Sequence, residues 1–379
     1  MKILQIHNEY FYRGGEETVL NAEKELLIKN GHTVFQIIRK NKKEIKNLFD
    51  IFKILRKLSY SDDSLKILEK KINKKNFPDI VHIHNTFPLW TNSTLEFFKK
   101  KKIPIVMTLH NYRLLWNYIS FFDVNSSKYL YFKNSKIITF IISKLISINE
   151  KLLDNVEKFI TFTKFTKKKF LVHDKLKKKL IIKPHFLQKK KIKRKKFIYK
   201  KDAIYASRIS NEKGIKTLLK AWSDIDLELK IFGDGPLLKE LKKGNRKNDM
   251  LSFNGHINSK SLDTQISNSK ILIFPSEWYE TMGMTIIQAF RAGTLVIASK
   301  IGSISNLIQH KKNGILFEPG NHIDLNRKIK WALKNPKKCD AISKNAYRDF
   351  INKYSEHKNY EILINIYKDL LRNKKNKIV

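Results

Sequence analysis

The chain has 379 residues, 42% hydrophobic and 11% aromatic, which is enough to bury more than one core and leads us to expect two domains. Its 77 lysines and arginines against 35 acidic residues give a net charge of +42, a field that favours nucleic acid, an anionic membrane surface or phosphorylated substrates, although AT-rich codon usage accounts equally well for the abundance of Lys, Asn and Ile. The single cysteine, Cys339, excludes a disulfide framework and a cysteine-rich metal site and suits a reducing compartment.

Met1 runs straight into the strand-like "KILQIH", so no leader is expected. After it, "HNEYFYRGGEETVLNAE" sets Gly14 and Gly15 between a strand and the helical "EETVLNAEKELLIKNG". Paired glycines let backbone approach a ligand, and the helix start offers free N–H groups to an anion; a plain tight turn has the same composition. The runs "TVFQII", "DIVHIHN", "PIVMTLH" and "KFITFT" are further strands, alternating with helical stretches. His84 and His110 fall at the ends of two of them. In an open parallel sheet that edge faces the ligand, and a neutral imidazole there can donate one hydrogen bond to a substrate oxygen. Between them and the next strand, "IITFIISKLISI" at 137–148 contains Lys144 and is shorter than the ~20 apolar residues a spanning helix needs.

The lysine block in "FLQKKKIKRKKFIYKKD", 186–202, reads as a solvated connection. The pattern then repeats with "AIYAS", "LELKIFG", "MLSFNG", "ILIFPS", "TLVIAS" and "GILFE". The fold class is therefore α/β, with two doubly wound, Rossmann-like domains and parallel sheets covered on both faces. The expected divisions are 1–187, 188–355 and a terminal amphipathic helix at 356–379 with Ile362, Leu363, Ile366 and Leu370 on its apolar side. Arg208 and Lys213, in "AIYASRISNEKGIKTLL", put two cations beside a helix start, an arrangement suited to a diphosphate. Gly233 and Gly235 mark a turn. In "FPSEWYETMGMTIIQAFRAG", Glu280 sits in the loop between a strand and a helix, and Gln288 is a polar residue among apolar neighbours of that helix. No His/Cys/Asp/Glu set has metal-ligand spacing and no P-loop is present, so no metal or cofactor is expected.

Through "HNEYFYRGGEETVLNAEKELLIKNGHTV", "PDIVHIHNTFPL", "TLHNYRLL", "ASRISNEKGI", "IFGDGPL", "PSEWYETMGM" and "NGILFEPGN", taken in order, the chain resembles the family 4 glycosyltransferases of GT-B fold. That resemblance implies retaining transfer of a sugar from a nucleotide-diphosphate donor without a metal, a cleft between the domains, and a last helix crossing back to the first domain. By residue, it implies that Arg208 and Lys213 hold the diphosphate and that Glu280 contacts hydroxyls of the transferred sugar. It places the backbone at Met282, Gly283 and Met284 against sugar and phosphates, Gln288 at the ribose, His110 at the reacting sugar and Gly15 near the phosphates. His84 and Asn111 are the acceptor-side candidates. Gln288 and Asn306 stand where relatives usually carry glutamate, and "WNYISFFDVNSS" replaces a segment that often contains cysteine. The expected partners are a nucleotide sugar and a glycan or lipid-linked acceptor in surface polysaccharide or glycolipid assembly. An anionic membrane surface is open as a further partner, with the chain cytoplasmic or peripheral at the inner face of the membrane. The competing readings are a nucleic-acid-binding protein, though no helix-turn-helix, finger or RNP-like signature is present, and an inactive transferase-like scaffold.

Overall fold

The structure, a computed structural model, describes residues 1–9, 15–40, 61–86, 89–115, 150–189, 195–245 and 248–375. Gly14, the segment following "TLHNYRLL", the apolar run at 137–148 and part of the lysine block lie outside these residues.

Two compact units are present: Met1–Thr161 with Lys167–Lys183 and Tyr360–Val379, and Phe162–Thr166 with Pro184–Asn359. Each is built on a six-stranded sheet. In the first, β1 (Lys2–Glu9), β2 (Thr33–Lys40), β3 (Ile80–Ile83), β4 (Ile105–Thr108), β5 (Lys158–Thr161) and β6 (Leu180–Ile182) lie in the order β2-β1-β3-β4-β5-β6. Every pairing in it is parallel. Of these strands the sequence pattern misses β6: three residues between lysines are too short to show a period.

In the second unit β7 (Ala203–Ala206), β8 (Leu229–Phe232), β9 (Leu251–Gly255), β10 (Ile271–Phe274), β11 (Leu295–Ser299) and β12 (Ile315–Phe317) lie in the order β12-β11-β10-β7-β8-β9. They too are parallel throughout. The central strands are continuous apolar runs because helices cover both of their faces: β7, β10 and β11 are buried at every residue. Two clusters separated by the sheet form the core. Trp222, Leu218, Ile231, Ile273 and Phe317 belong to one; Phe274, Ile286, Phe290, Val296 and Phe350 belong to the other.

Helix Met284–Ala292 ends where the sequence places its cap, with Gly293 left-handed at φ 61°. The last helix, Glu356–Lys375, is the amphipathic tail. From Tyr360 onward it belongs to the first unit, where Leu363, Ile366, Tyr367 and Leu370 pack on Ile3, Ile80, Val106 and Ile160. Among the described residues no helix is long and apolar enough to cross a membrane.

Candidate functional site

In a doubly wound sheet the chain leaves in opposite directions from two neighbouring strands, and the loops at their carboxyl ends part to form a crevice. In the second unit those strands are β7 and β10. The loop after β7 carries Arg208 and Lys213, and the loop after β10 carries Glu280. Lys213 Nζ lies 2.6 Å from Glu280 Oε1, the same oxygen that accepts from Ser276 Oγ at 2.8 Å. Both members of the ion pair are mostly covered, with 22% and 14% of their side chains exposed, whereas Arg208 is exposed.

Backbone contacts fix the two loops against one another. Gly214 has φ 68°, and a Cβ there would stand 1.8 Å from the Pro275 carbonyl oxygen; the Glu277 N–H donates to the Glu212 carbonyl at 2.9 Å. The glycine turn after β8 serves Arg208 in the same way. A Cβ on Gly233 would meet the Ser207 carbonyl oxygen at 1.9 Å, one on Gly235 the Ile209 carbonyl oxygen at 2.3 Å, and Tyr205 Oη holds the Arg208 carbonyl at 2.9 Å. These glycines are where backbone passes backbone next to the paired cations.

Met282 and Gly283 are buried and Met284 opens its helix; the His185 N–H points at Met282 Sδ from 3.2 Å. Gln288 is 8% exposed and its amide nitrogen donates to Asp263 Oδ1 at 3.1 Å. Arg291 shares that oxygen and also donates to the Gln188 carbonyl at 2.9 Å. The glutamine therefore belongs to a buried polar contact between helices Ser259–Asn268 and Met284–Ala292. Asn306 accepts from the Phe165 N–H at 2.6 Å and, with the Thr163–Ser303 hydroxyl pair at 2.9 Å, ties 162–166 to the loop after β11.

In the first unit the reversal lies between β1 and β3. Gln5 pairs with His82 and His82 with Val106, so the alternation of a strand puts Gln5, His7, His82, His84, Thr108 and His110 on one face. Helix Gly15–Lys29 brings Glu23 onto this face. Glu23 Oε2 is 2.9 Å from Lys183 Nζ, and Oε1 is 2.9 Å from His82 Nδ1 and 3.2 Å from His84 Nε2. His82 also touches Tyr367 Oη at 2.7 Å and Thr108 Oγ1 at 2.8 Å, and His84 Nδ1 lies 3.2 Å from His110 Nε2.

Burial by itself raises the Glu23 carboxyl, but the Lys183 ammonium, His82 and the hydrogen bonds from His82 and His84 together hold it well below its ordinary range. Burial pushes the His84 imidazole down to about 4, assisted by His82 and His7 and opposed by Glu23. His84 is 1% exposed and its ring meets His110. His110 and Asn111 are half-buried at the end of β4, and at Gly15 an added Cβ would meet nothing within 4 Å.

Sequence spacing shows no metal set, yet folding brings ligand-type atoms of Glu23, His82 and His84 within 4.8 Å of one another. The Lys183 ammonium already stands at the carboxylate, where it supplies the positive charge a cation would bring. Glu23, His82 and Lys183 were not among the candidates from sequence. The signal for Glu23 was a charge within the apolar stripe Val19, Leu20, Leu26 and Leu27; the signal for His82 was its place two residues before His84.

Residues 188–349 match the family model described as Glycosyl transferases group 1. The chain is 22% identical over 311 residues to 2-deoxystreptamine N-acetyl-D-glucosaminyltransferase of Niallia circulans, covering 78% of this chain and 77% of that protein. Several other curated relatives align over less than half of their own length. Among solved structures, sucrose-phosphate synthase from Thermosynechococcus elongatus superposes with a TM-score of 0.75 at 17% identity, covering 98% of this chain and all (100%) of that one. Anabaena Alr3699/HepE in complex with UDP gives 0.67 at 15% identity, with 97% and 100% covered. At these identities the superpositions speak for the fold, two Rossmann-like domains of GT-B type.

Proposed function

We propose that this chain, whose residues 188–349 match the family model described as Glycosyl transferases group 1, moves a sugar, with retention of configuration, from a nucleoside-diphosphate sugar to a hydroxyl of a glycan or lipid-linked acceptor. The observation that carries this reading is the meeting of Lys213 and Glu280 at 2.6 Å beside the reversal between β7 and β10. Opposite charges there suit the two halves of such a donor. An ammonium has three donors, so Lys213 can keep Glu280 and still reach a phosphate oxygen, while Arg208 offers a planar fork to the same diphosphate. Glu280, held by Ser276 and Lys213, accepts from sugar hydroxyls.

As the glycosidic C–O bond breaks, negative charge gathers on the leaving diphosphate and the sugar becomes oxocarbenium-like. Cations already in place stabilise that charge without reorganising. The acceptor hydroxyl attacks from the side the diphosphate leaves, its proton passing to a departing phosphate oxygen, so the configuration is retained. The solved UDP complex of Alr3699/HepE supports a nucleotide donor, and the Niallia relative, a 2-deoxystreptamine N-acetyl-D-glucosaminyltransferase, supports transfer of a sugar to a hydroxylated acceptor. A surface polysaccharide or glycolipid acceptor and docking on an anionic membrane belong to the same reading. The nucleic-acid alternative is not favoured.

The test is a donor screen followed by kinetics on Arg208→Ala. Nucleoside-diphosphate sugars are scanned for thermal stabilisation and for release of nucleoside diphosphate with glycan and glycolipid acceptors. With the donor that scores, Arg208→Ala should lower kcat by roughly 100-fold or more, as expected for loss of leaving-group stabilisation, and raise KM less. An equal loss in binding of the nucleoside alone would remove Arg208 from that role.

A further inference from the structure

The 3₁₀ turn Phe197–Tyr199, just before β7, is folded inside out. Residues three apart in such a turn lie on one side, so Phe197 and Lys200 point one way and Ile198 and Tyr199 another. The inward side holds Phe197, in the core cluster of Trp222 and Ile231, and Lys200, which is 3% exposed. The outward side holds Ile198 and Tyr199, 62% and 70% exposed; among the other large apolar side chains of the described residues only Ile323 is as open to water.

Contacts from three neighbouring segments hold the turn in this arrangement. Lys200 Nζ donates to Thr294 Oγ1 at 2.7 Å and to the Gly293 carbonyl at 3.2 Å, and Asp340 Oδ1 accepts from the Phe197 N–H at 2.7 Å. Lys270 Nζ sits over the Phe197 ring and donates to the carbonyls of Phe197, Ile198 and Lys200. Burying an ammonium while leaving an isoleucine in water runs against hydrophobic order, and these bonds offset its cost. They hold two adjacent apolar side chains out in solvent.

The exposed charge around them has one sign. Lys195, Lys196 and Lys201 flank the turn, and Lys337 and Lys338 open the helix Pro336–Lys353 whose Asp340 holds it; all five are exposed. The nearby acids are engaged within the protein, Asp340 with the turn and the buried Asp202 with Lys230 at 2.6 Å. An aliphatic and an aromatic side chain ringed by ammonium groups match the interface of an anionic bilayer. The apolar pair enters the boundary of headgroups and acyl chains, the tyrosine hydroxyl stays among the headgroups, and the lysines meet lipid phosphates.

We propose that the turn Phe197–Tyr199 is a membrane anchor: Ile198 and Tyr199 insert into the interface of an anionic lipid bilayer, and Lys195, Lys196 and Lys201 bind its headgroups. The inference rests on the membrane docking named in the proposed function and gives it a surface. The turn and its partners Lys270 and Thr294 immediately precede β7, β10 and β11, so the anchor lies at the amino ends of the sheet, the edge away from Arg208, Lys213 and Glu280. Seating there leaves the donor crevice open.

The test uses vesicles of phosphatidylcholine alone and of equal parts phosphatidylcholine and phosphatidylglycerol. A chain of net charge +42 can adhere to anionic vesicles through many faces, so the readout must report which face is seated. An environment-sensitive fluorophore is attached to Tyr199→Cys and, in a second protein, to Ile323→Cys, which begins the helix after β12 on the carboxyl edge of the same sheet; the native Cys339 is buried and does not compete. On anionic vesicles the probe at 199 should shift to the blue and become shielded from a water-soluble quencher. The probe at 323 should do neither, and neutral vesicles should leave both unchanged.

Sedimentation gives the magnitude. Ile198→Ser with Tyr199→Ser should lower partitioning onto anionic vesicles by roughly 10-fold or more, and Lys196→Gln alone by roughly fivefold. The double variant should keep its melting temperature and its release of nucleoside diphosphate with a water-soluble acceptor. That last readout belongs to the crevice: an inactive chain whose 199 probe still responds to lipid keeps the anchor and refutes the transferase reading, whereas an active chain without that response refutes the anchor alone. Equal responses of the two probes, or unchanged sedimentation of the double variant, overturn the proposal. So does a double variant that loses self-association while keeping its lipid binding, which would assign the turn to a second copy of the chain.

Discussion

Replacing Gln288 by the glutamate that the family resemblance implies at this position isolates what the amide is for. On sequence grounds Gln288→Glu restores a charged acceptor for a ribose hydroxyl and tightens donor binding by roughly 1 kcal/mol. The structure adds an opposing effect, because the amide nitrogen that would become a carboxylate oxygen lies 3.1 Å from Asp263 Oδ1. Two carboxylates ~3 Å apart repel by about 5 kcal/mol at an effective dielectric of ~20. Arg291, which contacts Asp263 and lies one helical turn from position 288, returns about 3 kcal/mol of this at a distance of ~5 Å. Loss of the amide hydrogen bond adds about 1 kcal/mol. The net cost is about 3 kcal/mol of stability at neutral pH, or roughly 5–10 °C in the melting temperature of a domain this size.

The cost should shrink on acidification, because a proton shared by the carboxylate pair is bound more tightly in the folded variant than in the unfolded chain. Stability relative to wild type is then regained as pH falls and lost as it rises. Gln288→Glu with Asp263→Asn removes the repulsion and should restore most of the melting temperature while leaving the acidic group for the ribose, giving about fivefold tighter nucleotide binding. The assay is thermal unfolding of the single and double variants at two pH values, with and without the donor nucleotide. A single variant as stable as wild type, or one that Asp263→Asn fails to rescue, refutes the reasoning.

Lys183→Met should cost about 3–5 kcal/mol in chemical denaturation, because it strands the buried Glu23 carboxylate; adding Glu23→Leu should recover much of that loss, and no recovery would mean that packing rather than charge was removed. His84 binds its proton less readily folded, at about 4, than unfolded, at ~6.5, so stability should fall as pH drops through that window, by about 2 kcal/mol between pH 7 and pH 5. Glu23, held low, adds its own loss only below the ordinary carboxylate range, and the charged or titratable neighbours facing His84 are Glu23, His7, His82 and His110. The difference between wild type and His84→Asn in urea titrations at the two pH values isolates the effect. Gly214→Ala should lower the melting temperature and abolish donor-induced stabilisation together, since a left-handed backbone costs alanine roughly 1–2 kcal/mol before its Cβ meets the Pro275 carbonyl; a soluble variant that still responds to donor would show the two loops to be independent.

The parts of this molecule that were legible in the sequence are those in which one short segment carries its own signal. β10 is an apolar run stopped by Pro275, and the helix after it is closed by Gly293. Arg208 and Glu280 could be placed at strand ends for the same reason, and the resemblance named their roles. What could not be read is any relation set by register or by contact over long separations. The alternation in "DIVHIHN" puts His82 and His84 on one face, but only the pairing of β3 with β1 and β4 brings them beside His7 and Thr108. Glu23 stands in an apolar helical stripe, a local inconsistency that in a folded protein signals either a defect or a partner. The partner, Lys183, is 160 residues away, just past a three-residue strand too short to be seen. Asp263 and Gln288 show the same limit, since each is an ordinary helix residue until two helices meet. A charged residue where the period demands an apolar one is thus the feature most worth following into a structure, and here it leads from Glu23 through His84 to the ring at the end of β4.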